Sequence, residues 1–269
     1  SVILIYMCEV LRIYGSVIKD MSNGIIGRLM RQMPDVRSFW YSCYKSVNQC
    51  NAVIESLENN DIPGLDEDLK TRFLAESLFI RAHYFYHLVQ QFGDIPMPLK
   101  PTNSVETTAH KTKVDEVWNQ IVTDLEFAVE NLPETYQASE FGHITKYAAM
   151  HHLSRVYLTL KRSDDDLKKA LNYAEQVINS GKYSLVKSHA ELWDINNKNN
   201  SEVLFSVLYT QNAELNGDGN TAHMYFCSAY SEEHPAVKRV IEYGRPWSRE
   251  RSSDFAISLF VQNERSTLG

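Results

Sequence analysis

The chain is poor in the residues that announce a reactive or metal-bound centre. Its 269 residues include four cysteines, Cys8, Cys43, Cys50 and Cys227, and none forms a C-x-x-C pair. That excludes a thioredoxin-type motif and a zinc ribbon. Cys43 and Cys50 lie seven positions apart, two helical turns along one face, too far for a disulfide within one helix. Positive charge is also scarce. The formal net charge is -7, and no Lys/Arg run is long enough to make a nucleic-acid patch, so the chain reads as no nucleic-acid binder. No apolar run approaches the ~20 residues of a membrane span. G-x-S-x-G, the P-loop and G-x-G-x-x-G are all missing. The opening "SVILIYMCEV" lacks the basic start and small pre-cleavage residues of a lipoprotein signal, and reads instead as the first helix.

What is present is helical periodicity, which dominates the first two-thirds. Residues 2–14 read as a short helix. Residues 15–38 read as irregular, with Gly15, Gly24, Gly27 and Pro34 as breakers. Trp40, Tyr44, Val47, Asn51 and Ile54 recur at three or four positions, which predicts a helix over 39–58. Residues 59–66 form a turn, with Asp66 as N-cap of the next helix, 67–92. Leu74, Leu78, Ala82, Phe85, Val89 and Phe92 make one stripe of that helix, and Phe79, Tyr86 and Leu88 widen it. A helix so apolar is packed on two sides. Gly93 closes it, and Pro96 and Pro98 prevent its resumption.

Further helices are predicted over 113–131, 145–161 and 165–179, with Thr145 and the "SDDD" run at 163–166 supplying caps. The last two span about one tetratricopeptide (TPR) repeat of ~34 residues. Leu153, Ser154, Tyr157, Ala170 and Ala174 fall at its packing positions. The fold class that follows is mainly α: a TPR-like helix-pair solenoid of about four units with an irregular, loop-rich C-terminal portion containing short strands. The expected domains are a helical scaffold over 1–200 and a loop-rich portion over 201–269. Within the latter, "EVLFSVLYT" (202–210) reads as a strand, 211–223 as a long polar loop, and 254–262 as a final helix.

Several motifs, in order, carry a resemblance. "FWYSCYKSVNQCNAVIESL" (39–57) is similar to a Trp/Tyr…Asn helix. "AESLFIRAHYFYHLVQQFGDIPMPL" (75–99) has the form AE-x-x-F-x-RA running into FG-x-(I/V)-P-L. "VDEVWNQIVTDLEFAVENLP" (114–133) ends in Leu-Pro. "TKYAAMHHLSRVYL" (145–158), "ALNYAEQVINSGKYSL" (170–185) and "SEVLFSV" (201–207) follow. Together they resemble the SusD/RagB family, the surface glycan-binding lipoproteins of Bacteroidetes nutrient uptake. "RSSDFAISLF" (251–260) departs from that family's pattern, with Ser252 and Ser253 in place of Pro-Thr. Family members begin with a signal and a lipid-bearing Cys, which this sequence lacks, and run longer, so the chain is expected to be partial. The resemblance implies capture of glycan at the extracellular face of the outer membrane, beside a SusC-like TonB-dependent transporter. It implies no catalytic constellation, no cofactor, and membrane contact only through a lipid anchor not contained in this chain.

The family motifs are scaffold motifs and assign no ligand residue. Sugars present C–H faces to aromatic rings and hydroxyls to amides, carboxylates and guanidinium groups, on loops held by a rigid frame. The expected ligand-binding set is therefore His223, Tyr225, Tyr230, Tyr243, Arg245 and Trp247, with Asn216, Asp218 and Asn220 nearby; the bland alternative is that these rings fill a core. Arg28, Arg31 and Asn23 are the second choice. Trp40 and Trp118 sit at periodic positions and are expected in the core. His83 and His87 have metal-clamp spacing, but their helix face is crowded with rings and offers no acidic or thiol partner, so no metal is expected. His151 and His152 point to different faces. Asp164–Asp166 lack the Gly and distal Glu of a calcium loop and read as a helix cap. Two other classes remain: a TPR-like scaffold for a peptide or protein segment, including peptide uptake, and a glycoside hydrolase with two opposed carboxylates.

Overall fold

In the computed structural model, residues 34–59, 62–104, 109–194, 196–209 and Ser258 are described. They contain helices α1 (Pro34–Asn59), α2 (Glu67–Phe92), α3 (Val114–Asn131), α4 (Lys146–Leu160), α5 (Asp164–Asn179) and the short α6 (His189–Leu192), with a 3-10 turn at Ala138–Glu140. All lie in the first of two compact units, Ser1–Val207; the second is Leu208–Gly269. The helices pack in chain order, α1 on α2, α2 on α3, α3 on α4 and α4 on α5. This is the stacking of a TPR-like solenoid, in which each element buries its apolar face against its neighbours.

Local chemistry explains the helix ends. Asp66 accepts a hydrogen bond from Leu69 N (2.7 Å), and Glu67 and Asp68 occupy the positive first turn of α2. Thr145 and Ser163 cap α4 and α5 in the same way. Gly93 ends α2 with φ 70° and ψ -122°, a conformation that suits glycine. The start of α1 corrects the expected boundary. Pro34, read as a breaker, is the first residue of α1, where its missing N–H has no helical acceptor to lose and its fixed φ suits the turn.

The aromatic residues of α2 are packing. Phe79, Phe85 and Leu88 are fully buried, and Tyr86 meets Trp118 of α3 edge-on at 5.7 Å between ring centroids. Trp118 is buried, and Trp40 packs against the core beside Phe92. Ser154 lies against the next helix, its hydroxyl donating to Ala170 O (2.7 Å), as the repeat spacing expects.

The predicted strand at 202–210 is not one. Its described residues, 202–209, are turn, bend or irregular, and among the described residues the one β-bridge is the isolated pair Ile95–Thr112. β-Branched and aromatic content favours extended backbone, but a strand needs a ladder partner. Near this segment the described backbone bonds are a local turn, Val203 N donating to Asn200 O (3.2 Å), and Ser184 N donating to Ser201 O (3.0 Å), which make no ladder. Leu204 and Phe205 instead turn their side chains onto the helical core. The helices expected over 2–14 and 254–262 and the loop at 211–223 lie outside the described residues, Ser258 apart.

Candidate functional site

Three side-chain clusters fix the helical frame. The first is buried and ionic. Arg81 of α2 donates from Nε to Asp124 Oδ2 and from Nη2 to Asp124 Oδ1, both over 2.8 Å, and from Nη1 to Asn51 Oδ1 (3.1 Å). Gln120 donates to Asp124 Oδ1 (2.7 Å). The pair joins α2 to α3, and Asn51 extends it to α1. Asn51 also donates through Nδ2 to Pro98 O (2.8 Å), and Tyr44 OH donates to Pro96 O (2.6 Å). The proline carbonyls after α2 are thus held by α1. Asp94 finishes the strap by accepting from Val114 N (3.0 Å) and from Lys113 Nζ (2.9 Å), at the start of α3.

The second cluster holds the connection between α3 and α4. Glu76 accepts from Tyr136 OH (2.9 Å) and pairs with His143 Nδ1 (2.9 Å), while Arg72 pairs with Glu140 (3.1 Å). Tyr136 and His143 stack at 5.2 Å.

The third cluster is made of imidazoles. The Nε2 atoms of His83 and His87 lie 3.2 Å apart, and the ring of His152 lies 5.3 Å from that of His83. His151 is exposed while His152 is buried, so the two do point to different faces. Among the described residues no group of three or more His, Cys, Asp or Glu is placed to hold a metal ion. Burial, with the Arg155 guanidinium second, pushes His83 down to about 4. Burial, then His83 and Arg155, push His87 down to about 3. Burial, then the neighbouring imidazoles and Arg155, likewise hold His152 well below the usual imidazole range.

The eight expected ligand residues, Asp218, Asn220, His223, Tyr225, Tyr230, Tyr243, Arg245 and Trp247, lie outside the described residues, as do Asn216, Arg28, Arg31 and Asn23. The described residues add one ring that the sequence reading passed over. Trp193 follows α6 and is 51% exposed. Around it Asp194 Oδ1 accepts from Asn196 N (2.8 Å), and Asn200 Nδ2 donates to Asn197 O (3.1 Å). An exposed indole in an amide-rich loop is the arrangement that stacks on a sugar face. The signal was legible: Trp193 stands outside any apolar period and beside "DINNKNN".

The family description that matches is the SusD-like one, "Starch-binding associating with outer membrane", over residues 29–158, from just before α1 to within α4. The SusD-like protein P25 of Formosa agariphila is 25% identical over 186 residues, covering 69% of this chain and 34% of that protein. The matched stretch, these relatives and the shared fold support the SusD/RagB family. The chain spans about a third of the length of the curated relatives it matches. A SusD superfamily protein from Parabacteroides distasonis shares the fold with a TM-score of 0.62 at 25% identity, over 67% of this chain and 39% of that one. A laminarin-binding SusD-like protein gives a TM-score of 0.58 at 27% identity, over 66% and 38%. A structure with xylogluco-oligosaccharide gives 0.61 at 25% identity, over 66% and 36%.

Proposed function

We propose that this chain is part of a non-enzymatic glycan-capturing protein at the outer face of a bacterial outer membrane, which holds oligosaccharide for import by a SusC-like TonB-dependent transporter. The carrying observation is the fold shared with a laminarin-binding protein and with a protein crystallised with xylogluco-oligosaccharide. The family's association with the outer membrane supports the location.

In this reading the helices are an inert frame and recognition falls to exposed rings on irregular backbone. Trp193 is one such ring. His223, Tyr225, Tyr230, Tyr243, Arg245 and Trp247, with Asp218 and Asn220, supply the remaining stacking and hydroxyl-binding groups. Affinity is modest, because a wet sugar site gains from few stacked rings and many water-mediated bonds. Affinity electrophoresis against laminarin, xyloglucan and starch tests the reading. Retardation by at least one polysaccharide supports it, and migration unchanged in all three overturns it.

A second reading, a scaffold for a peptide or protein segment, draws on one observation. Leu167, Leu171 and Ile178 of α5 are exposed, Ile178 by 72%, at helical spacing on one face. Deleting 211–250 separates the readings: glycan capture is lost, whereas binding of a segment to the helical face survives.

A further inference from the structure

We propose that Asn200 is the positioning residue of the Trp193 platform: its buried amide ties the turn that carries the indole to the segment anchored on the helical core. The inference rests on the reading of Trp193 as a sugar-stacking ring. Asn200 is 8% exposed, although most described residues of 191–199 are open to solvent. Both polar atoms of its side chain are engaged. Nδ2 donates to Asn197 O (3.1 Å) and, at longer range, to Leu192 O (3.5 Å), the carbonyl just before Trp193. Oδ1 accepts from Glu202 N (3.1 Å), and the backbone carbonyl accepts from Val203 N (3.2 Å).

The two sides of this joint are held differently. On one side Ser184 and Ser201 are bonded three times: Ser184 N to Ser201 O (3.0 Å), Ser201 Oγ to Ser184 O (2.9 Å) and Ser184 Oγ to Ser201 Oγ (3.0 Å). Val186 N donates to Glu202 Oε2 (3.0 Å), and Leu204 and Phe205 lie against the core. On the other side the bonds are short-range. Asp194 N donates to Glu191 O (3.4 Å), Asn197 N to Asp194 O (2.9 Å) and Asn197 Nδ2 to Glu191 O (3.3 Å). These shape the turn around Trp193, and Asn200 bonds that turn to the anchored segment.

A carboxamide suits the joint because one planar group offers two donors and an acceptor. Aspartate keeps the acceptor for Glu202 N and loses both donors, and alanine loses all three. A ring held in place before the sugar arrives binds more tightly, because its ordering no longer opposes binding.

Fluorine NMR of the full chain labelled with fluorotryptophan reads the platform without a ligand. Of the four tryptophans, the Trp193 resonance is the one absent from Trp193→Phe. In Asn200→Asp that resonance moves toward the position of the free amino acid and narrows, while the buried Trp118 keeps its own. Exchange of the Ser184 and Val186 amides stays slow, since 201–205 keeps its anchors. The Kd for the polysaccharide that retards the parent rises by roughly three- to tenfold. An unmoved Trp193 resonance in folded Asn200→Asp and Asn200→Ala overturns the proposal, even where the melting temperature falls, since the role is then merely structural. A loosened indole that keeps the parent Kd also overturns it. A parent that binds no polysaccharide overturns the glycan reading and the sugar role with it, while the resonance still decides whether Asn200 holds the ring, so the two failures are distinct. If neither variant folds, the unaltered chain decides. Slow exchange of the Asn200 side-chain amide, with Trp193 relaxing like Trp118, supports the joint, and a Trp193 ring relaxing like a mobile side chain overturns it.

Discussion

Arg81 and Asp124 are joined twice, Nε to Oδ2 and Nη2 to Oδ1, each over 2.8 Å, and side chains only 6% and 2% exposed leave almost no water to share the charge. Burial favours the neutral carboxyl, yet a guanidinium cannot give up its proton, so the pair is held ionised. Asp124→Asn leaves Arg81 buried and uncompensated. Urea denaturation is expected to show a loss of about 3–5 kcal/mol. Replacing both partners, Arg81→Met with Asp124→Leu, costs far less, because the penalty belongs to the orphaned charge.

Gly93→Ala tests backbone strain alone. A Cβ at this position meets nothing within 4 Å, so no clash accompanies it. The φ of 70° with ψ of -122° is what alanine resists. The expected cost is about 1–3 kcal/mol, read as a lowered urea midpoint with unchanged slope.

Much of this frame was legible in the sequence because its signals are local. Asp66, Thr145 and Ser163 cap helices through bonds spanning three residues, and the α2 stripe needs no knowledge of its partners. Pro34 misled for a local reason, since one residue type breaks a helix inside and starts it at the first turn. The non-local features were not legible. Arg81 and Asp124 stand 43 positions apart, and nothing in either segment marks the partner. His152 of α4 meets the ring of His83 from a distant part of the chain, which spacing within α2 cannot show. The segment 202–209 has strand composition, but a ladder partner is a property of the fold. The sequence from Asp218 to Trp247 carries no period that would place the expected ligand residues.

Stability should fall as the medium is acidified through the imidazole range. The folded-state pKa of His83 is near 4 and that of His87 near 3, both below the ~6.5 of an unfolded chain. The unfolded state therefore binds more protons in that window, and unfolding free energy rises with pH. The contribution is complete above pH ~6.5 and is lost progressively toward pH 4 and below. Thermal melts across pH 7.5 to 4.5 check it. His87→Gln, which removes one titrating group, gives a shallower dependence than the parent. An equally steep curve in that variant assigns the acid loss to carboxylates instead.

Trp193 offers the most direct test of where sugar is held. The indole is half exposed, beside the four-residue α6, and its replacement removes little buried area. Trp193→Ala is thus expected to leave the melting temperature within ~2 °C of the parent, in keeping with a surface substitution of under about 0.5 kcal/mol. Any lost affinity then reports a lost contact rather than a loosened fold. Stacking of one pyranose face is worth about a tenfold change in Kd, or ~1.4 kcal/mol. Isothermal titration with the polysaccharide that retards the parent chain supplies the number. A tenfold weakening places the glycan against this loop. An unchanged Kd in the folded variant removes Trp193 from the ligand set and leaves recognition to the rings between Tyr225 and Trp247.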